Sequence, residues 1–324
     1  MLAIRLAALA AAGLILACAG QRAHAQGGYP NKPIRLIVGF PAGSSADIAA
    51  RAVGARMSQS LGQQVVVESR PGAGSSIAAE QVARADKDGY TLFMLSSANI
   101  TNQAINPALT FKVERDFAPI ALVNTTAVIL VVHPSTGVKN VKELIALAKS
   151  KPGELNYAST GIGTAPHLSG ELLAQRAGIK IQHVPYKGSP EAATDLLAGR
   201  VSMMFSPASA VVAQSKAGGL KALATATDKR LGVLPDVPTM AEAGMTDFNT
   251  SIWFGLVAPA GTPKPVVDKL AKATADATAA PEVAKAWEPQ GILPLSGGPD
   301  VFGRHIASEI KRWDGVAAAA GLKK

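Results

Sequence analysis

Short apolar runs alternate along this chain with longer segments in which apolar residues recur at helical spacing. The apolar runs predict strands at residues 34–40, 65–68, 90–95, 120–123, 128–133, 155–158, 182–184, 201–205, 221–226 and 251–258. The helical spacing predicts helices at residues 46–60, 76–85, 141–149, 166–177, 190–198, 209–217, 264–279, 281–287 and 301–320. Because strands that alternate with helices of this length form βαβ units, the pattern predicts an α/β fold with mostly parallel sheets flanked by helices.

The first predicted strand is followed by a Pro/Gly turn and a helix. Ser44 and Asp47 have the spacing of a capping box, which predicts that this helix begins at Ser45 or Ala46. A helix start of this kind leaves backbone N–H groups open, and these favour an anion. A second unit of the same layout follows at residues 155–176. We therefore expect the two units to hold one carboxylate-bearing solute between two lobes.

Two stretches predict where the chain passes between these lobes. Residues 124–132 form a long extended stretch, which is a candidate crossover into the second lobe, and the Pro-rich segment 234–238 is a candidate return. This assigns residues 26–127 and 236–324 to domain I and residues 128–235 to domain II. Because α/β sheets bind ligands beyond the carboxyl ends of their strands and at domain interfaces, the cleft between the domains is the expected site.

The N-terminal residues have the parts of a secretory signal peptide. A positive charge precedes residues 6–17, an apolar stretch too short to span a bilayer, and the segment Ala23-His24-Ala25 has the small residues of a cleavage site. The pattern predicts a signal peptide at residues 1–25 and an exported mature chain. An uncleaved anchor and lipidation at Cys18 stay open as alternatives. Since Cys18 is the only cysteine, a mature chain without it has no disulfide and no thiolate metal site.

The composition narrows the classes of function. The formal net charge is +9, but Lys and Arg are scattered along the chain, and aromatic residues make up only 5% of it. Without a basic stripe interleaved with aromatic side chains, the chain lacks the pattern of a nucleic-acid-binding protein. A mild positive field that attracts anionic solutes and a merely solubilising surface both stay open.

The motifs of common enzymes are absent from the sequence. There is no G-x-S-x-G elbow and no P-loop, and the glycines of segments 72–74 and 161–163 lack the third glycine of a dinucleotide fingerprint. The histidines lie too far apart for the spacing of metal ligands. We therefore expect no catalytic residue, no cofactor and no metal site.

Hydroxyl groups stand instead where the predicted strands end. They belong to Ser44, Ser45, Ser96, Ser97, Ser159, Thr160 and Ser206. Hydroxyls and glycine amides are neutral donors for a carboxylate and have no acid–base capability near neutral pH, which favours binding over catalysis. Asp47 would repel such a ligand and is expected to cap its own helix. Lys187 could contact the ligand or form a surface ion pair. Trp253 and Phe254 could wall a cleft or fill the core, and the core is the expected place for both.

Seven longer segments form a further pattern. They are Y-P-N-K-P-I-R-L-I-V at 29–38, F-P-A-G-S-S-A-D-I-A-A-R at 40–51, V-E-S-R-P-G-A-G at 67–74, D-G-Y-T-L at 88–92, Y-A-S-T-G-I-G-T at 157–164, H-V-P-Y-K-G at 183–188 and P-D-V-P-T-M-A-E-A-G at 235–244. In this order they resemble the motifs of solute receptors of the tripartite tricarboxylate transporter family, also known as Bug proteins. The resemblance runs over essentially the whole mature chain.

The resemblance implies a two-lobed periplasmic binding protein of the Venus flytrap type II, expected to be a monomer. Such a receptor closes at a hinge over a small carboxylate, either a di- or tricarboxylate or an aromatic one, and delivers it to a membrane permease. Backbone amides of the first loop, residues 40–47, would hold the carboxylate together with hydroxyls and ordered waters from both lobes. The expected ligand-binding residues are Phe40, Ala42, Gly43, Ser44, Ser45, Asp47, Ser96, Ser97, Ser159, Thr160, Gly161, Gly163, Thr164, His167, Tyr186, Lys187, Ser206 and Pro207.

Three positions depart from the family's usual pattern. Ser44 replaces the second glycine of the first loop, Ser69 replaces an asparagine, and Ser206 stands where an aspartate often follows the phenylalanine. The loss of that carboxylate removes a partner for an amino group, so Ser206 would tolerate a purely anionic or aromatic ligand. A sensing module for a membrane signalling protein, and an exported enzyme that uses a cleft serine or His167, stay open as alternatives.

Overall fold

Ten strands build the framework of the computed structural model, which describes residues 28–319. The strands are β1 (Ile34–Val38), β2 (Val65–Ser69), β3 (Thr91–Ser96), β4 (Phe117–Val132), β5 (Asn156–Ser159), β6 (Gln182–Pro185), β7 (Met203–Pro207), β8 (Lys221–Thr225), β9 (Ser251–Pro259) and β10 (Ile292–Gly297). The predicted signal peptide at residues 1–25 lies outside the described residues.

Eleven helices flank these strands within the described residues. They are α1 (Ser45–Leu61), α2 (Ser76–Ala83), α3 (Ser97–Ile105), α4 (Val113–Asp116), α5 (Val141–Ser150), α6 (Ala165–Ala177), α7 (Ser189–Leu197), α8 (Ala208–Lys216), α9 (Lys264–Thr278), α10 (Pro281–Trp287) and α11 (Pro299–Ala319). Between residues 28 and 319, none of the helices combines the length and the apolar character that crossing a membrane requires.

The predicted alternation of strands and helices is confirmed, and each predicted element has a counterpart within a few residues. The two strands predicted at 120–123 and 128–133 are parts of the single strand β4. The sequence pattern missed α3, α4 and β10. The predicted α/β class therefore holds, with three additional elements.

The strands are ordered β2-β1-β3-β9-β4-β7-β5-β6, with β8 and β10 also paired to β4. β1 is parallel to β2 and β3, and β5 is parallel to β6 and β7. Every pair that involves β4 or β9 is antiparallel, so the prediction of mostly parallel sheets is wrong. Two of these pairs arise because β9 brings the chain back from the second half of the molecule and inserts between β3 and β4 against the direction of both. The others arise because β4 runs against β7, β8 and β10.

The long strand β4 joins two halves of the fold. Its residues Phe117–Ala127 pair with β9, and its residues Val128–Val132 pair with β7. On the other edge, β10 pairs with the first part and β8 with the second. We refer to the half that contains β1, β2, β3, β9 and β10 as the first lobe, and to the half that contains β5, β6, β7 and β8 as the second lobe. We propose that the chain enters the second lobe between Ala127 and Val128, which is the first domain boundary expected from the sequence.

We propose that the return to the first lobe lies later in the chain than residue 236, the boundary expected from the sequence. The amide of Ala226 donates to Val128 O (2.8 Å), and the amide of Met240 donates to Thr225 O (2.8 Å). The amide of Thr250 still donates to Ala226 O at 3.0 Å. Because these bonds tie residues 226–250 to strands of the second lobe, we propose that the second domain boundary lies near residue 250.

The C-terminal helices pack on the first lobe, as the sequence predicts. Met57 of α1 is fully buried, and its sulfur lies 3.6 Å from Thr274 Oγ1 of α9. On the other face of the sheet, a Cβ added to Gly255 of β9 would lie 2.2 Å from the ring of Phe302 of α11. The missing side chain lets α11 approach β9 closely, which brings residues 309–313 of this helix near the junction of the lobes.

Candidate functional site

Five helices of the two lobes begin at one cleft. α1 and α3 belong to the first lobe, and α6, α7 and α8 belong to the second. The cleft is narrow, with a cavity volume of about 20 Å³. Its lining residues are Phe40, Ser44, Ser45, Ser96, Ser97, Ala98, Thr160, Thr164, Ala165, Ser189, Pro207, Ile252 and Phe254. Each of the five helices contributes its cap or its first residue to this lining, so the cleft is built from helix N-termini.

The electrostatics of the cleft come from the backbone. None of these thirteen lining residues has an ionisable side chain. The first four N–H groups of an α-helix lack an intrahelical partner, and the aligned peptide dipoles place a partial positive charge of about +0.5 at the N-terminus. Five such ends around one small void make it attractive to an anion, and the hydroxyls of the lining add neutral donors.

The first loop is held by a capping arrangement at the start of α1. Ser44 Oγ accepts the amide of Asp47 at 3.3 Å, which confirms the predicted helix start at Ser45. The carboxylate of Asp47 accepts the amide of Gly43 at 3.0 Å and the Nε of Arg51 at 2.9 Å. Asp47 is buried but does not line the cleft. Its negative charge is therefore paired within the first loop and the first turns of α1. This agrees with the expectation that Asp47 caps its own helix.

Two hydroxyl groups, at the two ends of the second loop (residues 159–164), hold its backbone in place. Ser159 Oγ accepts the amide of Gly161 at 3.1 Å and lies 2.6 Å from His183 Nε2. Thr164 Oγ1 donates to Gly161 O at 2.6 Å. Gly161 has a φ of +120°, and Gly163 has a φ of +76°, so a β-carbon at either position would strain the backbone. Ser159 thus positions the loop rather than lining the cleft.

Aromatic and imidazole rings stack behind this loop. The His183 ring lies 4.9 Å from the Tyr157 ring and 4.4 Å from the His167 ring, measured between centroids. The Tyr157 hydroxyl donates to Glu171, and His167 Nδ1 accepts the amide of Gly163 at 3.3 Å. Burial is the main reason why the pKa of His183 is lowered to about 4, and the neighbouring His167 adds to that shift. Burial also lowers the pKa of His167, whereas Glu171 opposes the shift in both rings.

We expect the free energy of unfolding to fall as the pH drops from about 6.5 toward 4. In this range the unfolded chain takes up a proton at His183 and the folded protein does not, so acid favours unfolding. Neutral His183 makes its full contribution to the free energy of unfolding at pH values above the ordinary histidine pKa. Denaturant unfolding curves at several pH values measure the slope. His183→Gln should reduce the slope, and equal slopes in both proteins would contradict the assignment.

Contacts between the two lobes beside the cleft include two at which a glycine is needed. A Cβ added to Gly188 would lie 2.4 Å from Pro41 Cδ, which places the 188–190 segment against the first loop. At the second place, Thr101 Oγ1 donates to Gly163 O, and a Cβ on Gly163 would lie 2.3 Å from Asn102 Oδ1. These contacts leave no room for a side chain at the glycines, so the structure has the lobes closed over the cleft.

The structure brings eight of the eighteen predicted residues into the lining. They are Phe40, Ser44, Ser45, Ser96, Ser97, Thr160, Thr164 and Pro207. Six others hold the two loops from behind or form their backbone, namely Gly43, Asp47, Ser159, Gly161, Gly163 and His167. Four make no contribution to this lining: Ala42, Tyr186, Lys187 and Ser206. Direct contact of a ligand with any of the eighteen stays a prediction.

Five lining residues were missed by the sequence pattern. Ala98 and Ala165 are small residues in the first turns of α3 and α6, and Ser189 begins α7 directly before Pro190. Ile252 and Phe254 stand two apart on β9, so strand alternation places both on the face toward the cleft. The Gly-Ser-Pro start of α7 and the alternation along β9 are signals that could have found three of them.

Comparison with known proteins gives a consistent result. The model of the tripartite tricarboxylate transporter family receptor matches residues 49–322. The chain is similar to the protein BugT of Bordetella pertussis, with 37% identity over 318 residues that cover 97% of this chain and 98% of BugT.

Two solved structures of similar proteins contain small acids. One is the structure of an R. palustris protein with adipate. That protein is 34% identical to this chain and superposes with a TM-score of 0.87, and the match covers 91% of this chain and 99% of the other. The other is the structure of MatC from Rhodopseudomonas palustris with bound malate. MatC is 32% identical to this chain and superposes with a TM-score of 0.85, and the match covers 89% of this chain and 99% of MatC.

Proposed function

Because the chain belongs to the tripartite tricarboxylate transporter receptor family, we propose that it binds a small carboxylate in the cleft between its lobes and delivers it to a membrane permease. Receptors of this family are periplasmic, and we propose that this chain reaches the periplasm through a signal peptide cleaved after Ala25. We further propose that it works as a monomer and without a cofactor.

The observation that carries this proposal is the convergence of five helix N-termini on a cleft whose thirteen lining residues have no ionisable side chain. A carboxylate has two oxygens that accept several hydrogen bonds, and backbone amides at helix ends satisfy them without the competition of an opposite charge. The adipate and malate in the two R. palustris structures agree with this chemistry.

The apolar part of the lining limits the rest of the ligand. Phe40, Ile252, Phe254 and Pro207 present hydrocarbon to the cleft. When the lobes move apart to admit a ligand, a short methylene chain or one aromatic ring can pack against such a surface. We therefore propose a di- or tricarboxylate or an aromatic carboxylate as the ligand class.

A hydrolytic function has little support in this geometry. Ser159 and His183 form a close serine–histidine pair with 2.6 Å between Oγ and Nε2. Ser159 is fully buried and does not line the cleft, so its oxygen has no access to a substrate there. His183 stacks between Tyr157 and His167 instead of being oriented by a carboxylate. We therefore propose a receptor and not an enzyme.

The binding proposal is tested with the mature chain, refolded after denaturation so that any ligand from the host is removed. A thermal-shift screen against dicarboxylates, tricarboxylates and aromatic carboxylates should raise the Tm for a subset of them. Isothermal titration then measures Kd for those acids and for the matching amides, which lack the charge. We expect the acids to bind and the amides not to bind. A protein that binds no acid, or binds amides equally well, would contradict the proposal.

Delivery to a permease is tested separately. Membrane extract from a strain that carries the transporter is passed over the immobilised receptor with and without the acid identified in the screen. Retention of permease subunits only in the presence of the acid supports delivery. Retention of a signalling protein in their place would support the sensing alternative.

Ser159→Ala should weaken carboxylate binding about tenfold even though Ser159 does not touch the cleft. Its hydroxyl holds the amide of Gly161 and the ring of His183, and a lost buried hydrogen bond costs about 1–2 kcal/mol. The second loop would lose its preorganised shape. Ser135→Ala is a matched control, because Ser135 Oγ also lies 2.7 Å from a histidine, His133, on an exposed turn. Equal affinities of the two variants in isothermal titration would remove Ser159 from the site.

A further inference from the structure

His167 holds a residue at which the two lobes meet. Its Nδ1 accepts the backbone amide of Gly163 at 3.3 Å, and the carbonyl oxygen of Gly163 accepts the hydroxyl of Thr101 from the first lobe. A Cβ added to Gly163 would lie 2.3 Å from Asn102 Oδ1, so the contact between the lobes is tight at this point. We refer to the two hydrogen bonds that run from His167 through Gly163 to Thr101 as the latch.

The latch requires a neutral His167. A ring nitrogen that accepts a hydrogen bond carries no proton, whereas an imidazolium has a proton on both nitrogens and can only donate. If Nδ1 were protonated, two N–H groups would face each other, and the amide of Gly163 would have to turn away. His167 also stands in the first turn of α6, where the partial positive charge of the helix N-terminus disfavours a cation. Protonation of this ring therefore opposes the latch.

The groups around the imidazole differ in their effect on its charge. The ring of His183 on β6 lies 4.4 Å away between centroids, and burial lowers the pKa of both rings. Glu171 Oε1 lies 4.0 Å from His167 Nε2 and opposes this shift, although the same carboxylate also accepts the Tyr157 hydroxyl of β5. β7 also packs on α6 and has no ionisable side chain, and the side chains of the first lobe that contact Gly163 are uncharged. Of these groups, Glu171 alone favours a protonated ring.

We propose that neutral His167 is a positioning residue of the binding cleft and that its protonation opens the latch, so that the protein holds a carboxylate at neutral pH and releases it in acid. The inference rests on the proposed function and adds control by pH to it. Its sign follows from linkage: because the latched form excludes the proton, a lower pH favours the form in which the latch is broken, and the affinity falls.

The proposal is tested by isothermal titration at about pH 7.5 and about pH 5, with whichever of malate, adipate and benzoate binds best. His167→Asn is the central variant, because asparagine Oδ1 takes the place of Nδ1 as an acceptor and does not titrate. Between the two pH values, we expect the affinity of the unmodified protein to fall about fivefold more than that of His167→Asn. Protonation of the acid itself cancels in this comparison, since both proteins meet the same acid.

His133→Asn is the matched control. His133 Nδ1 also accepts a backbone amide, that of Ser135 at 3.2 Å, but it does so on an exposed turn outside the lining of the cleft. This variant should keep the pH profile of the unmodified protein. A flattened profile in His133→Asn as well would mean that the response does not come from the latch, and would overturn the inference.

A measurement on the unmodified protein needs no variant. Because proton release and ligand binding are reciprocal, NMR titration of the His167 imidazole should give a lower pKa with the acid bound than without it. If the bound acid leaves that pKa unchanged or raises it, or if His167→Asn has the pH profile of the unmodified protein, the inference is overturned and the proposed function stands. If no carboxylate of the thermal-shift screen binds at about pH 7.5, the proposed function fails and the inference fails with it.

Discussion

Ser45→Asp should abolish carboxylate binding while leaving the protein folded. Ser45 is the first residue of α1, is buried and lines the cleft. An aspartate in the first turn of a helix is favourable for the helix itself, because its charge complements the dipole. The same charge would face the bound carboxylate. Two like charges about 4 Å apart at an effective dielectric of about 20 repel by about 4 kcal/mol, which is about a thousandfold in Kd.

Ser45→Asn is the matched control for this variant. Asparagine has nearly the shape of aspartate and no charge, so the difference between the two variants measures the sign of the ligand charge. Isothermal titration with the best acid from the screen gives both affinities, and thermal unfolding without ligand shows whether each variant is folded. Similar losses in the two variants would mean that crowding, and not charge, excludes the ligand. Tighter binding of an amine by Ser45→Asp would favour a mixed-charge ligand class.

Gly188→Ala should impair closure of the lobes and weaken binding about thirtyfold. Gly188 has φ −178° and ψ −179°, an extended conformation that alanine also adopts, so the backbone itself is not strained. The added Cβ would lie 2.4 Å from Pro41 Cδ on the other lobe, and the proline ring cannot turn away. Overpacking of this kind costs about 2 kcal/mol, and the cost falls on the closed form alone. The affinity should fall by the corresponding factor.

Gly303→Ala is the control for the loss of a glycine. Its added Cβ would make only an ordinary contact with Pro119, away from the cleft. Small-angle scattering with and without the acid should show compaction in the control and less compaction in Gly188→Ala. The Tm without ligand should be similar in both variants. If Gly188→Ala binds and compacts like the control, the contact between Pro41 and Gly188 does not limit closure.

Local patterns predicted the regular elements well, because apolar periodicity and caps act within one element. The start of α1 follows from the spacing of Ser44 and Asp47 alone. α3 was missed because its sequence, S-A-N-I-T-N-Q-A-I, contains Ser, Asn and Thr residues that favour caps and turns. β10 was missed because Pro294 and Gly297 are unfavourable in strands, yet it pairs as an edge of β4. Tertiary contacts override propensity at these places.

The candidate site could be predicted only in part. Hydroxyls after strands pointed to Ser45, Ser96 and Ser97, since strand ends and helix starts meet at the cleft. The position of Ser159 behind its loop depends on His183, which comes from β6, the strand next to β5 in the sheet. No local spacing encodes such a contact. The approach of α11 to β9 and to the junction of the lobes depends likewise on packing between elements distant in the chain.

The pairing of β4 has a consequence for the way in which this protein unfolds. Its first part is hydrogen-bonded to β9 and β10 and its second part to β7 and β8, so one continuous strand serves two sheets along both edges. Unfolding of either lobe would leave its part of β4 without partners at the point where the strand continues into the other lobe. We therefore expect the two lobes to unfold together, in a single thermal transition.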